Sequence, residues 1–251
     1  SSFRADNNTS PDNILVVKQM AQDGLGLNFP MRALHYSQFN PSPWNGFATI
    51  AEVYNAFDPD DQRRQIFLVG PQVNPDPSSP TFNQPVNDRA GNPLVFTTSI
   101  ADVTQATEAE GARIMKWPID PNHVGPDNGN DFAYFRLAEM HLIKAEALNE
   151  LGNTPAALTI VNMLRARVFE PDEPVAAADQ ATMRDLIFRE RLFELTAEAK
   201  RRQDLIRYNN NFTQMTWFNN PAAREPFRML MPIPQNQIDI SKGLLVQNPG
   251  Y

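Results

Sequence analysis

Two helical periods separated by a very short joint constrain this chain more than any other feature. The stretch "DFAYFRLAEMHLIKAEALNELGNTPAALTIVNMLRARVF" occupies residues 131–169. Phe135, Ala138, Leu142, Ala145 and Leu148 recur by alternating threes and fours, the spacing of one helical face. Asp131 is a suitable N-cap, and Gly152 a suitable residue just past the end. Thr154 then reads as a second N-cap, with Pro155 in the first turn. Leu158, Val161, Leu164 and Val168 supply the second apolar face. A joint of about three residues forces the two helices to lie antiparallel as neighbours. Ala145, Ala147, Ala156 and Ala157 let their backbones approach closely. "AEALNELGNTPAAL" resembles a tetratricopeptide (TPR) helical hairpin, and one such hairpin cannot bury both of its faces alone.

A third helix is expected over roughly 180–208, "QATMRDLIFRERLFELTAEAKRRQDLIRY". On it Glu190, Glu194 and Glu198 recur every four residues, and like charges at that spacing repel. One reading is a solvated face. The other is a row neutralised from the side by Arg165, Arg167, Arg191 or Arg202, whose planar forks grip carboxylates. Such structural ion pairs fix register and catalyse nothing. The chain closes with "LMPIPQNQIDISKGLLVQNPGY", too rich in proline for a helix and too apolar for a loose tail.

The other half of the chain is of a different kind. "ILVV" at 14–17 reads as a strand, but from Gly24 to about Asn130 turn signals dominate: "NPSPWNG", "DPDD", "GPQVNPDPSSP", "DPNHVGPDNGND". Short strands are expected in "RQIFLVG" and "PLVFTTSI", and a helix near 48–57. The 22 prolines against 11 glycines favour stiff loops over flexible linkers. Two regions follow: 1–130, loop-rich with short strands and a short helix, the candidate ligand face; and 131–251, a helical TPR-like scaffold with an ordered tail. The fold class expected is mainly α, with a large irregular loop region.

Composition removes several functions. A net charge of −7 repels nucleic acid and anionic lipid. No run approaches the roughly 20 apolar residues of a membrane-spanning helix, and the polar start lacks the apolar core of a signal peptide. Without cysteine there is no disulfide, thiolate metal site or cysteine nucleophile. His35, His123 and His141 show no metal-binding spacing, and no nucleophile-elbow, P-loop or dinucleotide motif appears. Residues 120–131 partly mimic a calcium loop through Asp120, Asn122, Gly125 and Asp131. Val124 takes a ligand position there, Pro126 intrudes and the bidentate Glu is missing, so no metal or other cofactor is expected. Asp58, Asp60 and Asp61 could suggest a glycosidase pair, but Arg63 and Arg64 beside them point to local neutralisation, and no catalytic residue is assigned.

Four blocks in order, "FRLAEMHLIKAEALNELGN", "VNMLRAR", "RDLIFRERLFELTAEAKRRQDLIRY" and the closing "LMPIPQNQIDISKGLLVQNPGY", resemble the C-terminal half of the SusD/RagB family. "NILVV" and "ALHYSQFNPSPWNGFATIAEVYNAFDPDDQRRQIF" extend the resemblance over most of residues 14–251. Members are surface glycan-binding lipoproteins of Bacteroidetes outer membranes that serve polysaccharide uptake. The resemblance implies a SusD-like fold, an ordered tail packed on the helical scaffold, and no enzymatic activity. It implies glycan or oligosaccharide as ligand and a SusC-like TonB-dependent transporter as partner. Members are usually about twice this length, so the lipid anchor and further TPR-like helices are expected upstream. An exposed apolar helical face, or oligomerisation, should then follow.

The candidate glycan site is the loop "NPSPWNGF". Sugar recognition needs flat aromatic faces and planar polar groups, with no nucleophile. Trp44 supplies the first and Asn45 the second, and the resemblance favours this loop too. The alternative is an indole packed inward as a loop anchor. Tyr36 and His35 precede the loop closely enough to line the same site, whereas Trp117 is expected in the core and Trp217 on another loop. The competing function is a helical-repeat module that binds protein or peptide without sugar.

Overall fold

The computed structural model describes residues 2–102, 104–177, 179–208 and 225–251. The chain is mainly helical, with few short strands in small sheets. It forms two compact units, Ser1–Ala199 and Lys200–Tyr251. The loop-rich stretch up to 130 and the helical hairpin thus share the first unit.

In chain order the described elements are β1 (Asn13–Val17), α1 (Phe29–Ala33), β2 (Ala48–Thr49), α2 (Ala51–Ala56), β3 (Phe67–Leu68), β4 (Gly70–Pro71), β5 (Val95–Phe96), β6 (Ala112–Ile114) and β7 (Phe132–Arg136). There follow α3 (Leu137–Glu150), α4 (Thr154–Arg165), α5 (Gln180–Leu195), α6 (Arg201–Arg207) and α7 (Gln235–Ile240). No described helix is long and apolar enough to cross a membrane.

The hairpin forms, but its first helix starts later than its periodicity suggests. Residues 132–136 are the strand β7, which pairs antiparallel with β1. Aromatic residues at 132, 134 and 135 suit an extended chain, and a partner strand decides for it. Asp131 therefore caps no helix; its carboxylate accepts the amide of Gln19 at 2.7 Å. The expected stop holds, since Gly152 takes the left-handed φ of +83° that ends α3. The cap of α4 is Asn153, one residue before Thr154, its side chain accepting from the Ala156 amide.

The third helix supplies the hairpin with a partner. Ala145, Ala157 and Val161 pack with Met183 and Ile187 of α5, and Ala138, Leu142 and Leu164 with Leu195. The excursion has its own cores, Met31, Leu34, Phe39 and Ile119 in one and Phe57, Phe67 and Ala112 in another. Phe193 of α5 packs on Phe57 at 4.9 Å, so helices and excursion are joined by aromatic contact. Apolar side chains are exposed on the helices, at Leu137, Ile143 and Met163, and also on the β1–β7 ribbon, at Ile14, Leu15, Val17, Tyr134 and Phe135.

The single helix expected over 180–208 is two. Ala197 and Ala199 adopt left-handed φ of 67° and 60°, which breaks the run between α5 and α6. Cations occupy the break: Lys116 Nζ donates to the carbonyls of Glu194 (2.8 Å) and Thr196 (3.0 Å), and Arg136 Nη2 to that of Glu194 (2.5 Å). Unpaired carbonyls at a helix C-terminus attract positive charge, so these side chains set where α5 stops.

The closing stretch 225–251 carries a short helix, α7, where the proline content suggested none. Pro234 precedes its first turn, a position that needs no amide. Gln247 bridges the amide (2.8 Å) and carbonyl (2.9 Å) of Ile233, and the Tyr251 hydroxyl donates to Leu230 O at 3.0 Å. Trp217 lies outside the described residues.

Candidate functional site

The Trp44 loop is stitched to α1. Trp44 N donates to Met31 O (2.7 Å), Asn45 N to Leu34 O (3.0 Å), and Gly46 N and Phe47 N to Arg32 O (2.7 and 2.6 Å). The loop backbone is thereby fixed without a strand or helix of its own, while its large side chains stay outside. Trp44 is 47% exposed and Phe47 44%. The Arg32 guanidinium lies 4.9 Å from the indole centroid and 5.8 Å from that of Phe47, within cation–π range of both. Phe29 continues the row inward, edge-on to Phe47 at 5.7 Å and 4.8 Å from Trp117. Trp117 is fully buried, as its sequence context suggested, stacked with Phe132 at 5.5 Å. A half-exposed aromatic strip is therefore anchored through Phe29 to the core.

Two of the residues assigned to this site from sequence have other tasks. Asn45 sits at φ +52°, and both ends of its amide are engaged. Its Oδ1 accepts from Arg113 Nε (3.1 Å) and Nη2 (2.9 Å), and its Nδ2 donates to Glu108 O (3.0 Å). Arg113 is itself buried against Phe96, and burial lowers its pKa to about 10. His35 is fully buried and cannot touch a ligand in this conformation. Its Nδ1 accepts the Ser37 amide at 3.2 Å, and its Nε2 lies 3.6 Å from the Glu108 carboxylate. Burial pushes its pKa below the ordinary 6.5, against the pull of Glu108. Tyr36 is half-buried, with the Arg89 guanidinium 4.5 Å over its ring. Arg89 is held in turn by Glu108 at 2.5 Å.

Arg32 and Phe47 escaped the sequence reading. Phe47 stands in the same loop as Trp44, so a signal was available. Arg32 gave none, because only the fold of the loop over α1 brings it to the indole.

The acidic row of α5 lies inside the first unit, away from solvent. Glu190 pairs with Arg63, and Glu194 with Arg63 (3.0 Å), Arg136 (2.6 Å) and Arg167 (3.4 Å). Glu198, beyond the helix end, pairs with Lys116 and with Arg136 at 2.6 Å. Of the arginines considered from sequence, Arg165 stands 3.7 Å from Glu190, and Arg191 faces Glu139 at 4.0 Å. Arg202 donates instead to the carbonyls of Arg228 and Met229. Burial opposes the charge on Glu194, but Arg136, Arg63 and Arg167 win and hold its carboxyl well below the ordinary range. Burial pulls Lys116 down to about 8, with Glu198 opposing. Beside this network opens a cavity of about 400 Å³ lined by Phe3, Arg136, His141, Met163, Arg167 and Glu194. Its arginines are already compensated by Glu194 and Glu198, which leaves it little with which to recognise a ligand.

The other polar clusters are structural. Asp61 accepts from the Arg63 amide and guanidinium, and Asp58 from the Asp60 amide. In the 120–131 loop Asp120 accepts the amides of Asn122 (2.8 Å) and Gly129 (3.0 Å). Among the described residues no three His, Asp or Glu side chains are placed to hold a metal ion.

Residues 45–251 match the model of the SusD family. The chain belongs to the SusD family. This SusD-family chain is 31% identical over 147 residues to SusD-like protein P25 of Formosa agariphila, a match covering 54% of the chain and 28% of that protein. With SusD-like protein P38 of the same organism it shares 31% over 131 residues, 49% of the chain and 25% of the relative. Among solved structures, a SusD superfamily protein from Bacteroides fragilis covers the whole chain at a TM-score of 0.65 and 17% identity. Surface glycan-binding protein A from Bacteroides thetaiotaomicron, in complex with laminarihexaose, superposes on 97% of the chain at a TM-score of 0.69 and 20% identity. Those likenesses show the shared fold. The chain spans 54% and 53% of these two solved structures.

Proposed function

We propose that this SusD-family chain binds glycans at a cell surface without cutting them, on the face carried by Trp44 and Phe47, with Tyr36 at its margin. The observation that carries this reading is the half-exposed indole on a loop held to α1 and its C-cap Leu34 by four backbone hydrogen bonds. Two neighbouring aromatic side chains, Trp44 and Phe47, left open to water on a pinned loop form a flat apolar platform for a ligand face. Sugar C–H faces suit it, and because the loop is already ordered, binding costs little conformational entropy. The relative solved with laminarihexaose supports the ligand class. In this proposal the bound saccharide passes to a SusC-like TonB-dependent outer-membrane transporter, and the full-length protein is lipid-anchored on the outer membrane.

Calorimetric titration of a glycan library, with wild type and Trp44→Ala, tests the reading. Loss of a central aromatic contact costs about 2 kcal/mol, roughly thirtyfold in Kd. The variant should melt with wild type, since the indole is half in solvent. If no glycan binds wild type, the sugar reading falls and a protein-binding module takes its place.

A further inference from the structure

We infer that the saccharide taken by the Trp44 face carries a negative charge, as a uronate carboxylate or a sulfate ester, and that Arg32 reads it. The inference rests on the glycan reading of the same face. Arg32 is exposed, and its guanidinium lies against both open aromatic rings, 4.9 Å from Trp44 and 5.8 Å from Phe47. Its one hydrogen bond joins Nε to Asn28 Oδ1 at 3.3 Å. The terminal nitrogens Nη1 and Nη2 therefore have no partner among the described residues, and Arg32 makes no ion pair there.

The other arginines around the site have their donors engaged within the protein. Arg89 is held by Glu108, and buried Arg113 is spent on the carbonyls of Glu108, Glu110 and Gly111 and on the Asn45 amide. Acidic side chains outnumber basic ones in this chain, 29 to 22. A cation left unpaired beside its exposed indole is thus not explained by a shortage of carboxylates. The rings also hold the guanidinium in place, which removes part of the entropy that a long side chain loses on binding.

Neutral sugars would be served by a planar amide that both donates and accepts. Asn45 is the amide in this loop, and both of its ends are engaged. The polar group left on the platform only donates and bears a full positive charge. Carboxylates and sulfates are planar or threefold arrays of acceptors that take two parallel N–H bonds from one guanidinium, and such charge-assisted pairs are about twice as strong as neutral ones.

The test is calorimetry with three hexasaccharides: neutral laminarihexaose, a hexauronate and a sulfated galactan hexamer. Wild type should bind at least one acidic hexamer about tenfold tighter than laminarihexaose. Arg32→Gln should abolish that advantage, and Arg32→Lys should recover part of it. Raising salt from about 50 to 500 mM should weaken the acidic ligand selectively. Which acidic hexamer binds decides between carboxylate and sulfate. If laminarihexaose binds as tightly as both acidic hexamers, the charge inference is overturned and the glycan reading stands. An acidic preference that survives Arg32→Gln overturns the assignment to Arg32. Failure of all three ligands overturns this inference along with the reading beneath it.

Discussion

Replacing Glu194 by Gln probes the buried ion-pair network directly. The Glu194 side chain is 7% exposed and meets Arg136 at 2.6 Å, Arg63 at 3.0 Å and Arg167 at 3.4 Å. Gln keeps the shape and one acceptor oxygen but removes the charge that compensates these guanidiniums. Glu190, Asp61 and Glu198 remain, too few for Arg63, Arg136, Arg165 and Lys116 together. Breaking one member of a buried pair costs about 3–5 kcal/mol, and the retained amide favours the lower end. With a urea m-value of about 3 kcal/mol/M for a chain this long, the midpoint should fall by about 1 M. Glu150→Gln is the control. Its pair with Arg184 has a similar distance, 2.6 Å, but the side chains are 45% and 32% exposed. Solvent screening limits that pair to less than about 1 kcal/mol, or about 0.3 M. Acid adds a second readout. The folded-state pKa of Glu194 lies below its ordinary 4.5, so its contribution is fully present above 4.5 and is lost as pH falls through the folded value. Wild type should therefore lose more stability than the variant below pH 4.5. Equal midpoint shifts for Glu194→Gln and Glu150→Gln would show that burial does not amplify this network, and the argument would fail.

Two further outcomes are expected. Gly111 has φ +84°, and a Cβ there would stand 2.8 Å from Ala48 Cβ and 2.9 Å from Ile100 Cδ1, so Gly111→Ala should cost about 2–3 kcal/mol in thermal unfolding. An unchanged Tm would refute the close approach of Gly111 to Ala48 and Ile100. For His35, burial lowers the folded pKa beneath 6.5 while the unfolded chain still takes up a proton, so stability should decline as pH falls below 6.5. The groups facing it are Glu108, Arg113 and Arg89, and His35→Gln should flatten the pH dependence of Tm in that window. A slope unaltered by the substitution would place the titration elsewhere.

The sequence by itself determined the helical hairpin and the start of the third helix, along with the loop that holds Trp44. These are local matters: a period of 3.6, an Asn-Thr-Pro start, a glycine past a helix end and turn residues act within a few positions. The family resemblance followed from the order of such blocks. Tertiary structure alone decided that Phe132–Arg136 pairs with β1 and leaves the helix, and that α5 stops where Lys116 and Arg136 meet its last carbonyls. It also decided that His35 and Asn45 serve the interior while Arg32 reaches Trp44. Those outcomes depend on partners distant in the chain. Whether a charge or an amide is spent inside the protein or left for a ligand depends on which groups the fold brings within about 3 Å, and spacing along a sequence does not carry that distance.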